Sequence, residues 1–168
     1  MSMTPSRAFV ALTLVAGSGV ASAADPTAVF PQVDACVEAA LQQQEGHVIG
    51  WRIEKGQEPT PIQVDVLAAD DKVWTLKCAD AKVSGSERKM GNKNYKMLTS
   101  RAKVPELSAR FTAANSYPIA EVKKMDYGLS WKGRPYYTYE MSLNDGREAT
   151  VDVNAETGQI DRTKSERK

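Results

Sequence analysis

The stretch Tyr136-Tyr137-Thr138-Tyr139-Glu140-Met141-Ser142-Leu143-Asn144-Asp145-Gly146-Arg147-Glu148-Ala149-Thr150-Val151-Asp152-Val153 decides the fold. Its first eight residues alternate between two faces, with Tyr137, Tyr139 and Met141 on one and Tyr136, Thr138 and Glu140 on the other. That period of two predicts a half-buried strand. Asn144-Asp145-Gly146 supplies the positive φ a tight turn needs, and Ala149 to Val153 returns as the second strand of a hairpin. The chain then runs through Asn154-Ala155-Glu156-Thr157-Gly158-Gln159-Ile160.

Upstream of the hairpin, Pro105 marks a helix start, Leu107, Phe111 and Ala114 form an apolar stripe, and Tyr117-Pro118 ends it. A strand from about Ile119 to Met125 and a loop from Asp126 to Arg134 complete the order helix, strand, strand, strand. The same order appears earlier in weaker form. Val33, Cys36, Val37, Ala40 and Leu41 make a helical stripe ended by Glu45-Gly46, and Val48 to Glu54 is a first strand. Gly56 to Pro61 is a loop, Ile62 to Val66 alternates as the second strand, and Val73 to Cys78 is the third. The fold class expected is α+β, two tandem units in which a helix covers one face of an antiparallel sheet. Each unit has only about 60 residues, too few for a secure core alone, so the units should share an interface or extend one another's sheets.

Residues 1–23 read as a secretory signal peptide. Arg7 precedes the apolar run Ala8 to Val15, and Ala21-Ser22-Ala23 is a small-x-small cleavage site. The division expected is therefore 1–23 signal peptide, 24–91 first unit, 92–104 basic connecting segment and 105–168 second unit. A periplasmic or secreted location follows, with no membrane span in the mature chain. Removing 23 of 168 residues takes away Arg7 alone among the charges, leaving 21 basic against 21 acidic residues. That balance argues against nucleic acid as a partner. Lys82 to Lys103 is locally basic, read as a solvated connection rather than a docking patch.

Two cysteines in an exported chain favour a disulfide. Matching the third strands sets Trp74, Leu76 and Cys78 against Ala149, Val151 and Val153, which puts Cys78 on the inward face. Matching the helices sets Cys36 against Leu107 or Phe111, both read as facing the core. Cys36 and Cys78 are thus expected to bond inside the first unit.

The aromatic strand, the turn Asp145-Gly146-Arg147-Glu148, the Val151-Asp152-Val153 strand and the turn Ala155-Glu156-Thr157-Gly158-Gln159-Ile160 together resemble the PepSY domain family. The resemblance covers Pro105 to about Arg162 well and Val33 to about Val83 loosely. It implies a PepSY/cystatin-like fold and a binding or inhibitory module without catalytic residues. It further implies a protein or peptide partner in the envelope, such as a peptidase whose activity it inhibits or moderates, or a membrane protein. An alternative within the same resemblance is an accessory or sensor protein for a metal or redox membrane system.

The chemical inventory agrees with a non-enzyme. His47 is the only histidine, placed at the end of a helix where an imidazole can satisfy carbonyls. Asp70, Asp71, Asp145 and Asp152 fall at turns or on an outward strand face. No nucleophile motif or phosphate loop occurs. Met90, Met97, Met125 and Met141 lack the repeated spacing of a copper site. No catalytic residue, metal ligand or cofactor is assigned. The candidate partner-binding residues are Tyr127, Trp131, Arg134 and Tyr136, aromatic and Arg types that dominate interface energies. The competing reading has Trp131 packing against the other unit. An exposed edge strand would also allow a dimer.

Overall fold

Residue Trp51 lies opposite Met125, and this pairing joins the two halves of the chain into one sheet. The computed structural model describes residues 30–56, 59–89 and 95–166, so the signal segment 1–23 and its cleavage site lie outside the described residues. Within them, α1 (Pro31–Gln43) is followed by β1 (His47–Ile53), β2 (Ile62–Leu67), β3 (Val73–Ala79) and β4 (Lys82–Lys89). A short α2 (Tyr95–Thr99) leads to α3 (Glu106–Ala114), β5 (Ile119–Leu129), β6 (Pro135–Leu143), β7 (Glu148–Asn154) and β8 (Ile160–Glu166). All eight strands form one antiparallel sheet in the order β4-β3-β2-β1-β5-β6-β7-β8.

That order is a palindrome, and the register shows why. Gly50 pairs with Asp126, Trp51 with Met125 and Arg52 with Lys124. A shift of 74 (125 minus 51, 126 minus 52, 124 minus 50) exchanges the first and third pairs and leaves the second unchanged. The same halves continue outward in step: Trp51 pairs with Val64 and Val64 with Leu76, as Met125 pairs with Tyr139 and Tyr139 with Val151. The halves are therefore related by an approximate two-fold axis through the Trp51–Met125 pair. Each half completes the sheet of the other, which answers the small-core problem of a lone unit.

Each half also carries a fourth strand beyond the three read from the sequence. Lys82 to Lys89, read as part of a solvated basic stretch, is β4, and Ile160 to Glu166, given no element in the sequence reading, is β8. Both are outer strands with mostly exposed residues, Val83 being the one apolar side chain of β4 that packs against the core, so neither shows alternation of apolar residues.

Helix α1 starts with Pro31 in its first turn and buries Val33, Cys36 and Ala40. Cys36 is disulfide-bonded to Cys78 of β3, tying helix to sheet. Helix α3 differs from the expected stripe. It buries Ala109, Arg110, Ala113 and Ala114, while Leu107 is exposed and Phe111 only half-buried. Small residues let this helix lie close to the sheet, and the space beneath it is filled by Tyr137, Tyr139, Met141, Val151 and Val153 from below.

Arg110 is buried, which no apolar-stripe argument anticipates. Its guanidinium bonds Glu106 Oε1 and Oε2 at 3.0 and 2.6 Å, pairs with Asp34 of α1 at 2.8 Å, and lies 5.0 and 5.4 Å from the rings of Phe30 and Trp51. Burial opposes its charge, and Glu106 and Asp34 outweigh that, so its pKa is raised. One side chain of the second half is thereby held by three residues of the first.

The connecting segment 92–104 is strapped to the sheet where it is described. Tyr127, Tyr137 and Tyr139 donate their hydroxyls to the backbone carbonyls of Leu98, Val104 and Glu106 at 2.8, 3.0 and 3.1 Å. The amides of Lys103 and Val104 both donate to Ala155 O. Buried phenols need such acceptors, and the carbonyls of α2, of Val104 and of the first turn of α3 supply them.

Candidate functional site

The loop between β5 and β6 begins where strand alternation breaks at Ser130 and ends where Pro135 restores it. Gly133 adopts φ +72°, a conformation other residues resist, and its amide donates to Ser130 O at 2.8 Å. Ser130 N donates to Arg134 O, and Arg134 N donates to Ser130 Oγ at 3.1 Å. From the connecting segment, Arg101 Nη1 donates to Gly133 O. The loop is thus closed on itself and braced from outside.

At its tip Trp131 is 91% exposed, with the ammonium of Lys132 4.7 Å from its ring. The reading in which Trp131 packs against the other half is therefore wrong. A large apolar side chain left in water on a rigid turn is unusual, because burying it would stabilise the fold. Beside it opens a cleft of about 530 Å³ lined by Leu129, Ser130, Trp131, Lys132, Arg134, Tyr136, Asp152, Asp161 and Arg162. The cleft lies on the helix-free face, at the end of the sheet where β6 starts, β7 ends and β8 starts.

Three of the four partner-binding candidates come together here: Trp131, Arg134 and Tyr136. Tyr127 does not. It is 1% exposed, stacks 4.9 Å from Tyr137, and burial pushes its phenol up to about 12, with the charge of Glu156 adding. Its proximity to the loop in sequence is misleading because its face of β5 points under the connecting segment.

The missed members of the site are Asp152, Asp161 and Arg162. Asp152 is 7% exposed rather than a solvated outward carboxylate. It accepts Thr138 Oγ1 at 2.7 Å and is paired by Arg162 through Nε and Nη2 at 2.9 and 2.8 Å. Asp161 accepts from Asn154 Nδ2 at 3.3 Å. Only the reading of β8 as a strand would have brought Asp161 and Arg162 across to this face.

The remaining candidates for chemistry find structural roles. His47 opens β1 rather than capping α1. Its ring meets Tyr127 edge-on at 5.4 Å, its Nε2 is buried with no hydrogen-bond partner, and burial lowers its pKa. A buried Nε2 has no access to a substrate proton. Among the described residues no group of three or more His, Cys, Asp or Glu could hold a metal ion, and no helix is long and apolar enough to cross a membrane.

Residues 106–160 match the family model PepSY, described as the peptidase propeptide and YPEB domain. No curated protein matches the chain. Among solved structures, the chain is similar to a putative lipoprotein from Clostridium difficile 630, with a TM-score of 0.52 at 9% identity over 80% of this chain and 93% of that one. It also aligns with the YpeB C-terminal domain of Bacillus megaterium, with a TM-score of 0.31 at 11% identity over 81% of this chain and 65% of that one. The first likeness is one of fold, an α+β arrangement of helices on an antiparallel sheet.

Proposed function

For a chain that carries a PepSY domain over residues 106–160, we propose the role of a non-catalytic protein- or peptide-binding module of the cell envelope, docking through the Trp131 loop and its cleft. The observation that carries this reading is Trp131 itself, 91% exposed on a turn braced by Ser130, Gly133 and Arg101. Preorganised aromatic anchors bind at low entropic cost, because the free protein already holds the bound geometry. A buried disulfide suits an oxidising, extracytoplasmic compartment. The two helix-on-sheet units, 24–91 and 105–168, play unequal parts in this proposal, the first as a support and the second as the docking unit.

The family description names peptidase propeptides, which makes an envelope peptidase the first partner to test and moderation of its activity the expected effect. The test is affinity capture from an envelope extract of the source cell with wild type and a Trp131→Ala, Arg134→Ala double variant. Retention of a peptidase or membrane protein by wild type, lost in the variant at unchanged thermal stability, supports the proposal. Equal capture by both, or none by either, sinks it.

A further inference from the structure

Charge around the Trp131 cleft is unevenly compensated. Both carboxylates that line it are engaged, Asp152 by Thr138 and Arg162 and Asp161 by Asn154. The cations are less so: Arg134 is exposed, and the Lys132 ammonium lies 4.7 Å from the ring of Trp131. Arg162, whose side chain is 76% exposed, turns Nε and Nη2 to Asp152 and so keeps Nη1 donors for another acceptor. Arg101, which donates to Gly133 O, adds positive charge behind the loop. The cleft therefore offers an exposed indole together with guanidinium donors.

We propose that this cleft takes an acidic peptide segment: a carboxylate side chain between Arg134 and Arg162, with a neighbouring large apolar side chain laid against Trp131. A space of about 530 Å³ holds a few residues, not a folded domain. Guanidinium groups favour carboxylates through paired N–H donors, and the exposed indole adds the apolar contact that a free anion lacks. The inference rests on the binding-module reading and narrows it to the chemistry of the partner.

The probes are an acetylated, amidated hexapeptide with one Phe followed by Glu residues, its counterpart with Gln for every Glu, and inorganic phosphate. Binding to the full chain is followed by calorimetry and by the ligand-induced change in tryptophan emission, assigned to the exposed Trp131 by its absence in Trp131→Ala. The Glu peptide is expected to bind at least tenfold more tightly than the Gln peptide, and to weaken as salt rises from about 0.05 to 0.5 M. Arg134→Glu should cost at least tenfold at unchanged melting temperature, and Trp131→Ala should weaken both peptides.

Equal binding of the Glu and Gln peptides, an inert Arg134→Glu change, or phosphate competing as well as the Glu peptide would overturn the inference. If the capture experiment recovers a Trp131-dependent partner while the Glu peptide fails, the inference falls and the binding-module reading stands. If capture is indifferent to Trp131 while the Glu peptide binds, the inference stands and the stable-partner reading falls.

Discussion

The two halves share a helix-on-sheet plan and hold it together by different means. In the first, a 13-residue helix is bonded covalently to the sheet through Cys36 and Cys78. In the second, a 9-residue helix lies on tyrosines whose hydroxyls anchor the chain entering it, and Arg110 ties that helix back to Asp34, Phe30 and Trp51. Val153, the counterpart of Cys78, makes only apolar contact. The half without the exposed loop is the crosslinked one. The half with Trp131 depends for its order on polar contacts and on the seam with its neighbour.

The largest test of this contrast is to remove the crosslink. With a sequence separation of 42 residues, the chain-entropy model gives the disulfide about 4 kcal/mol. Cys36→Ser with Cys78→Ser should lower the unfolding free energy by that order, read by urea unfolding, and melt the first half earliest, read by hydrogen exchange over β2 and β3. Uniform loss across both halves would show that the seam makes them one cooperative unit.

Arg110→Met should come next. Removing it leaves Glu106 and Asp34 facing one another, one partly buried, and opens space against Phe30 and Trp51, for a cost of about 2–3 kcal/mol in unfolding experiments. Asp34→Asn, at a half-exposed position, should cost about 1 kcal/mol or less. An Arg110→Met protein as stable as wild type would reduce the bridge to ornament.

Single Tyr127→Phe and Tyr137→Phe changes should each cost about 1 kcal/mol, the net worth of a buried hydrogen bond, and should raise exchange of the amides of Lys103 and Val104. The same phenols set an alkaline limit. Burial raises the pKa of Tyr127, Tyr137 and Tyr139, so above the ordinary value of 10 the unfolded chain loses protons that the folded chain keeps. Stability should fall as pH climbs past that value, with tyrosinate absorbance appearing together with unfolding.

The smallest effect is at His47. Its folded pKa is lowered from 6.5, so below that value the unfolded chain binds a proton the folded chain refuses. Stability should decline as pH falls through this range toward the lowered folded pKa, and His47→Asn should flatten the dependence in thermal melts. Identical pH profiles for the two proteins would remove His47 from the account.

Much of this organisation is legible in the chain. Tyr136 to Val153 reads directly because alternation and Asp145-Gly146 report the same hairpin, and the cysteine pairing follows from laying one half on the other. What escapes reading has physical causes. The outer strands β4 and β8 are mostly solvated and so carry no periodic signal, which hid Arg162 and Asp161 from the site. In α3 the buried face is marked by Ala109 and Ala113, whose small size brings the helix close, while the larger Leu107 that drew the reading points outward. Tyr127 looks like a surface aromatic when the loop is read from Asp126, yet β5 continues to Leu129 and its strand position places Tyr127 beneath Leu98.

The Trp51–Met125 axis has a consequence for the order in which the molecule is made. Residues of the first half leave the ribosome before β5 exists, and until Ile119 to Leu129 arrives, β1 has an unoccupied hydrogen-bonding side. Because that side pairs with a near copy of itself in the finished sheet, a nascent chain meeting another of its kind has a ready substitute partner, Trp51 opposite Trp51. Slow synthesis between Lys89 and Ile119 is expected to yield interlocked dimers, which size-exclusion chromatography of slowed and normal preparations would distinguish from monomer.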